Sequence, residues 1–156
     1  MNLIMKEYPE RHFAGIPFEG GIRLGSEDVL HIPTIWQTFF EQVLPQINLE
    51  TENPHFIGLE LYPKDFLQTR IFDYLAMVET TERLSIPGVV SKTIPAGKYF
   101  SFEINFDHLE EGIQQSYRYL NDHQIPYDMS FDFEDYLNDQ NYSLKDQKLY
   151  FSIRVI

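Results

Sequence analysis

Two copies of the pattern E-x-Y-x-x-D supply the carboxylates of this chain that are best placed to do chemistry. They lie in the segments IGLELYPKD and FDFEDYLND and are offset by 74 residues, from position 60 to position 134. A carboxylate next to a tyrosine could hold a cation, or it could act as a general base on water. The members of the two copies are Glu60, Tyr62 and Asp65, then Glu134, Tyr136 and Asp139.

Glu134 stands in a run of aromatic residues that reads as a β-strand, where glutamate is uncommon. Alternation along the strand places Asp132, Glu134 and Tyr136 on one side and Phe131 and Phe133 on the other. Glu134 could therefore line an aromatic cleft, where partial desolvation would raise its pKa and strengthen its attraction for a cation. It could equally be a solvent-facing acid, since antiparallel sheets often have one wet face.

The elements that would position these residues follow one order twice. Apolar residues at three- and four-residue steps predict two helices, and short aromatic or β-branched runs between turn residues predict strands. A Pro- and Gly-rich segment, TTERLSIPGVVSKTIPAG, separates the two sets, and its part VVSKTIP reads as a strand or a linker. The predicted strand–helix–strand–strand sets are 12–20, 32–47, 56–62 and 70–79, then 98–106, 109–122, 131–137 and 148–156.

This order predicts an internal duplication within a single domain spanning residues 1–156, with repeats at about 10–80 and 95–156. One half alone would leave an apolar sheet face uncovered. The predicted fold class is therefore α+β. We expect a duplicated strand–helix–strand–strand module, one antiparallel sheet, two main helices against one face, and a central cleft.

Composition narrows the range of functions. A net charge of −12, from 24 acidic and 12 basic residues, disfavours direct binding of nucleic acid and suits cationic ligands, a basic protein surface or simple solubility. The absence of cysteine excludes disulfides and zinc–thiolate sites and fits a cytoplasmic location. No apolar run is typical of a signal peptide or a membrane span. The five histidines lack metal-ligand spacing, so neither a metal nor a cofactor is predicted.

The second half of the chain resembles a known family. The run IPGVVSKTIPAGKYFSFEINF, the acidic helix after it, FDFEDY and the final strand are similar to the gyrase-inhibitor-like (GyrI-like) small-molecule-binding domain. That domain forms the effector-binding part of bacterial AraC-type and multidrug-responsive MerR-type transcription regulators. The resemblance spans nearly the whole chain and implies the same duplicated fold, with a ligand cleft between the modules and Glu134 facing it. No DNA-binding domain is expected, because only one predicted strand precedes the first helix.

The resemblance also implies an aromatic cleft wall around the carboxylate. Each aromatic residue taken alone could instead be part of the core, and Glu60 is included as the repeat partner of Glu134. The candidate ligand-binding residues are Glu134, Tyr136, Tyr99, Phe102, Tyr62, Glu60, Tyr74, Phe151 and Trp36.

Three functions remain open from the sequence. The first is a non-enzymatic protein that binds amphipathic, cationic or aromatic small molecules in the cleft as part of a transcription, stress or drug response. The second is a hydrolase of reactive electrophiles, with Glu134 as general base and Tyr136 or Tyr99 polarising the substrate. The third is an acidic inhibitor of a protein with a basic surface, such as DNA gyrase.

Overall fold

A computed structural model describes residues 2–136 and 148–156, so Asp139 of the second E-x-Y-x-x-D copy lies outside the described residues. The elements are β1 Leu3–Tyr8, β2 Arg11–Pro17, β3 Ile22–Arg23, α1 Ile32–Thr38, β4 Phe56–Leu61, α2 Phe66–Thr69, β5 Ile71–Thr80, β6 Val90–Ile94, β7 Gly97–Asn105, α3 Leu109–Asp122, β8 Phe131–Asp135 and β9 Lys148–Val155. Across these residues, no helix is both long enough and apolar enough to cross a bilayer.

The nine strands formed by the described residues join one antiparallel sheet in the order β1-β7-β9-β8-β4-β5-β2-β6, with β3 paired to β5. The two predicted modules occupy neighbouring halves of this order, β7-β9-β8 and β4-β5-β2. Their equivalent strands follow one another in the same sequence outward, in either direction, from the junction where β8 pairs with β4. The predicted α+β fold with a duplicated strand–helix–strand–strand module is therefore confirmed.

Strands β1 and β6 each add one strand to the outer edge of a module, at the ends of the sheet away from the β8–β4 junction. β1 leads into β2 but pairs with β7, whereas β6 leads into β7 but pairs with β2. The segment that read as a strand or a linker is thus strand β6. Strand β1 is absent from the strands predicted from sequence. Its exposed and half-buried residues do not alternate regularly.

Two short connections show that the sheet curls strongly. Only residues 9–10 connect β1 to β2, and only residues 95–96 connect β6 to β7. A two-residue connection spans about 10 Å, so the two ends of the sheet must lie close together. The concave face encloses an apolar core without help from a helix. The buried residues of this core are Phe13, Ile57, Leu59, Leu75, Met77, Ile94, Tyr99, Phe131 and Phe133.

The convex face carries the helices. α3 has the predicted bounds and packs its apolar stripe on β7 and β9. The predicted helix 32–47 is present but irregular: α1 continues as a π-helical turn, Phe39–Val43, and a 3₁₀ turn, Leu44–Gln46. Pro45 lacks the backbone N–H that a regular α-helix needs there. The π turn buries Phe39 and Val43 in the core between α1 and the sheet.

Candidate functional site

Three carboxyl groups lie side by side on the convex face, where β8 meets β4. Asp132, Glu134 and Glu60 are 0%, 4% and 7% exposed, respectively. In the strand register, Glu60 stands opposite Asp132, and Gly58 stands opposite Glu134. The alternation that predicted a common side for Asp132 and Glu134 thus places both acids beneath the helices.

Tyrosine hydroxyls satisfy part of this cluster. The Tyr62 hydroxyl lies 2.8 Å from Glu60 Oε2 and 2.8 Å from Asp132 Oδ2, and the Tyr117 hydroxyl donates to the same Asp132 Oδ2. The other oxygen of Asp132, Oδ1, is buried without a hydrogen-bond partner among the described residues. A buried acceptor in this state is costly, so Oδ1 favours a donor, either a protonated neighbouring carboxyl or a group from outside the chain.

A second hydrogen-bonded chain covers Glu134. Trp36 Nε1 donates to the Tyr74 hydroxyl at 2.9 Å, and that hydroxyl lies 3.1 Å from the Tyr136 hydroxyl. The Tyr136 hydroxyl in turn lies 3.4 Å from Glu134 Oε1, and the edge of the Trp36 ring packs against the Tyr136 ring. Trp36 therefore links the first helix to the carboxyl cluster.

Gly58 makes the approach of Tyr74 possible. A Cβ atom at position 58 would overlap the Tyr74 hydroxyl and lie 3.1 Å from Glu134 Oε1. Because Gly58 has no side chain, Tyr74 can reach from β5 across β4 toward Glu134, which pairs with Gly58.

The helices form the two sides of the site. Trp36 comes from α1, whereas Tyr117 comes from α3 and packs against Tyr127 and Phe151. Tyr136 contacts the cores beneath both helices. The central cleft stays a prediction, and in the structure aromatic side chains pack along this seam between the modules.

Burial and mutual repulsion keep the carboxyls partly protonated. Burial, followed by the charge of Glu134, raises the pKa of Glu60 to about 8. Burial and the charge of Asp132 raise the pKa of Glu134 to about 7, and burial with the charge of Glu60 holds the pKa of Asp132 well above its usual range. At neutral pH the cluster therefore carries protons that a bound cation could displace.

The structure brings most of the candidate residues to this seam. Glu134, Tyr136, Glu60, Tyr62, Tyr74 and Trp36 belong to the two hydrogen-bonded networks. Phe151 stands next to Glu134 across β8 and β9, and Phe102 lies one strand further along the same row, in the core beneath α3.

Tyr99 lies elsewhere. Its ring is buried in the core of the concave face, and its hydroxyl donates to the carbonyl of Pro95 at 2.6 Å. Of the two tyrosines considered for polarising a substrate, only Tyr136 is next to Glu134.

Asp132 and Tyr117 belong to the cluster but are absent from the candidates predicted from sequence. Alternation did place Asp132 on the side of Glu134, so a signal for it existed in the sequence. No spacing rule points to Tyr117, because its role depends on where α3 lies over the sheet. Among the described residues, no group of three or more potential metal-binding side chains is arranged to hold a metal ion.

A separate groove of about 760 Å³ includes Arg11, His55 and Glu79 in its lining. His55 bridges Glu79 and Asp135, at 3.1 Å and 2.7 Å. Burial would lower the pKa of His55, but the hydrogen bonds to Asp135 and Glu79 outweigh it and raise this pKa to about 9. This ion-paired trio is distinct from the carboxyl cluster, whose acids have no basic partner in the part of the chain that the structure describes.

Comparisons with known proteins bear on the family and the fold of this chain. The sequence model of the integron-associated effector binding proteins (Cass2) matches residues 4–155. An integron cassette protein from Vibrio cholerae has a similar structure, with a TM-score of 0.68 at 20% identity, covering 99% of this chain and 95% of that one. No curated protein is significantly similar to this chain in sequence.

Two further solved structures share the fold. SAV2435, whose structure contains bound tetraphenylphosphonium, gives a TM-score of 0.75 at 19% identity, covering 100% of this chain and 94% of that one. The C-terminal domain of EcmrR gives 0.69 at 14% identity, covering 99% and 97%. The resemblance of the chain to the gyrase-inhibitor-like domain is thus confirmed.

Proposed function

Because the chain belongs to the integron-associated effector binding proteins, we propose that it binds amphipathic organic cations at the seam between its modules. In this proposal Glu134, Glu60 and Asp132 receive the positive charge, and the aromatic side chains of α1, α3 and the sheet receive the apolar part. The protein would act in the cytoplasm as the sensing part of a transcription, stress or drug response.

The observation that carries the proposal is a buried cluster of acids without a base. Three carboxyls lie within one seam, and none forms a salt bridge with a lysine, arginine or histidine among the residues described. Buried acids are normally paired, because an isolated buried charge is very costly. A cationic ligand would supply the missing countercharge.

The surrounding rings suit the rest of such a ligand. Trp36, Tyr74 and Tyr136 cover Glu134, while Tyr62 and Tyr117 flank Asp132. Aromatic faces attract cations, and their area rewards apolar contact. Since Glu134 is only 4% exposed, Trp36 and Tyr136 must move aside to admit a bulky ligand.

The related structures support the same class of ligand. SAV2435 binds tetraphenylphosphonium, which is a lipophilic cation without hydrogen-bond donors, and its fold matches this chain over its full length. We assign a ligand of the same class to this chain because of its acidic seam, not because of sequence identity. A protein partner with a basic surface remains a prediction from the net charge alone.

The test uses two ions of the same shape and opposite charge. Trp36 is the only tryptophan, so its fluorescence reports on the seam. We expect tetraphenylphosphonium to change this fluorescence with saturation, and tetraphenylborate to have no saturable effect. Glu134→Gln should weaken tetraphenylphosphonium binding by tenfold or more, whereas Glu7→Gln, an exposed site on β1, should leave it unchanged.

Equal binding of the two ions would contradict the role of charge. Unchanged affinity in Glu134→Gln would contradict the assigned position of the site. Circular dichroism of each variant verifies that the fold is intact.

A further inference from the structure

The carboxyl cluster has fewer hydrogen-bond donors than its oxygens can accept. The hydroxyls of Tyr62, Tyr74, Tyr117 and Tyr136 each carry one proton, and Tyr62 must divide its proton between Glu60 and Asp132. None of these donors reaches Asp132 Oδ1. The deficit is one of donors as well as of positive charge.

Protons held between the carboxyls make up part of this deficit in the free protein. Glu60 lies within hydrogen-bonding reach of both Asp132 and Glu134. Two carboxyls in such contact cannot both be ionised at low cost, so one retains a proton and donates it to the other. The centre of the cluster therefore retains at least one proton in the free protein.

We infer that the preferred ligand of this site is a protonated primary or secondary amine, whose N–H groups replace these protons and donate to the unpaired Oδ1 of Asp132. On binding, the protons held between the carboxyls pass to solvent, and the ammonium supplies charge and donors together. This inference rests on the proposed function and defines its ligand class.

A quaternary cation can satisfy only half of this need. It supplies positive charge, but it leaves Asp132 Oδ1 without a donor after the carboxyls have lost their protons. A hydrogen bond to a charged group contributes enough to change affinity by about tenfold or more. A primary ammonium is also the more strongly hydrated ion, so without these hydrogen bonds the quaternary cation would bind more tightly.

A matched pair of ligands separates the two cases. 1-Adamantylammonium and N,N,N-trimethyl-1-adamantylammonium share one apolar cage, carry the same charge and do not absorb where Trp36 is excited. Titrations of wild-type protein, followed through Trp36 fluorescence, should show the primary ammonium binding at least tenfold more tightly. Equal affinity, or tighter binding of the trimethyl compound, would overturn the inference while leaving the proposed function intact.

Asp132→Asn tests the atom responsible. Both compounds should bind the variant more weakly because one carboxylate is lost, but the primary ammonium should lose at least threefold more affinity, so that their ratio falls below about threefold. Glu7→Gln is the matched control and should keep the wild-type ratio. A wild-type ratio retained in Asp132→Asn would overturn the role of Oδ1, and if that variant fails to fold, the wild-type ratio alone decides.

The two proposals fail in different ways. If neither adamantyl compound binds at millimolar concentration, the inferred ligand class is wrong. The tetraphenylphosphonium and tetraphenylborate titrations then judge the proposed function independently.

Discussion

Glu60 and Glu134 occupy equivalent positions on either side of the junction between β4 and β8. The register pairs Leu59 with Phe133, and these two residues have the same 74-residue offset as the two glutamates. A pseudo-twofold axis therefore passes between Leu59 and Phe133 and relates the two acids. Each glutamate also has a tyrosine hydroxyl from two residues further along its own chain segment, at 2.8 Å for Glu60 and 3.4 Å for Glu134.

The symmetry is broken at one pair of positions. Gly58 and Asp132 are equivalent under the same offset, yet one has no side chain and the other adds a third carboxyl. Gly58 gives Tyr74 its route to Glu134, and Asp132 gives Glu60 a second acidic neighbour. This exchange makes the seam a site with distinct ends.

Binding of a permanently charged cation should depend on pH through the protein alone. Tetraphenylphosphonium does not titrate, whereas Glu134 and Glu60 have pKa values raised to about 7 and about 8. Their protons compete with the ligand, so affinity should rise between pH 6 and pH 9, by up to about tenfold per pH unit where one proton leaves per cation bound. Fluorescence titrations across this range measure the slope. A flat or falling profile would contradict displacement of protons.

Removal of the charge of Glu60 should stabilise the protein at alkaline pH. The pKa of Glu60 is about 8 in the folded protein against an ordinary 4.5. Between these values the folded state holds a proton that the unfolded chain has lost, so the free energy of unfolding falls as pH rises through this window. Glu60→Gln should exceed wild type by about 1–3 kcal/mol at pH 8.5 and nearly match it at pH 4.5. Urea unfolding at both pH values, with Glu7→Gln as control, tests the sign.

Gly58→Ala should destabilise the seam by about 1–3 kcal/mol, because the new methyl group would overlap the Tyr74 hydroxyl. Urea unfolding measures the loss. The double variant Gly58→Ala with Tyr74→Phe lacks that hydroxyl and should recover part of the stability. If the double variant is as unstable as the sum of the two single variants, the overlap with the hydroxyl is not the cause.

The duplication and the position of both E-x-Y copies were predictable, because the 74-residue offset and the two-residue alternation are local properties of the sequence. Alternation could also have separated Tyr99 from Phe102, since residues three apart on a strand face opposite sides. The structure places Tyr99 on the concave face and Phe102 on the convex face.

Other features of the site depend on contacts between distant segments. The unpaired oxygen of Asp132 results from the register of β8 against β4 and from the position of Tyr117 on α3. The hydrogen bond from Trp36 to the Tyr74 hydroxyl needs the space left by Gly58. Nothing in the sequence distinguishes this glycine from the other seven. Such features emerge only when both modules are assembled.

His55 should contribute stability that disappears at alkaline pH. Its hydrogen bonds to Asp135 and Glu79 raise its pKa to about 9 from 6.5, so its contribution is fully present below pH 6.5 and is lost as pH rises through 9. His55→Gln should lower the free energy of unfolding by about 1–3 kcal/mol at pH 6, with a smaller difference at pH 9.5. Urea unfolding compares it with His31→Gln, an exposed histidine that should show neither effect. A deficit that grows with pH would contradict the ion pairing.

Two tyrosine variants should separate the faces of the sheet. Tyr136→Phe removes the hydroxyl next to Glu134 and should weaken tetraphenylphosphonium binding severalfold, because the ionised carboxylate loses a donor. Tyr99→Phe removes a hydroxyl that donates to Pro95 on the concave face, so it should lower the free energy of unfolding by about 1 kcal/mol and leave ligand affinity unchanged. Fluorescence titration and urea unfolding of each variant provide the comparison. If Tyr99→Phe weakens binding as much as Tyr136→Phe does, the ligand does not bind on the convex face.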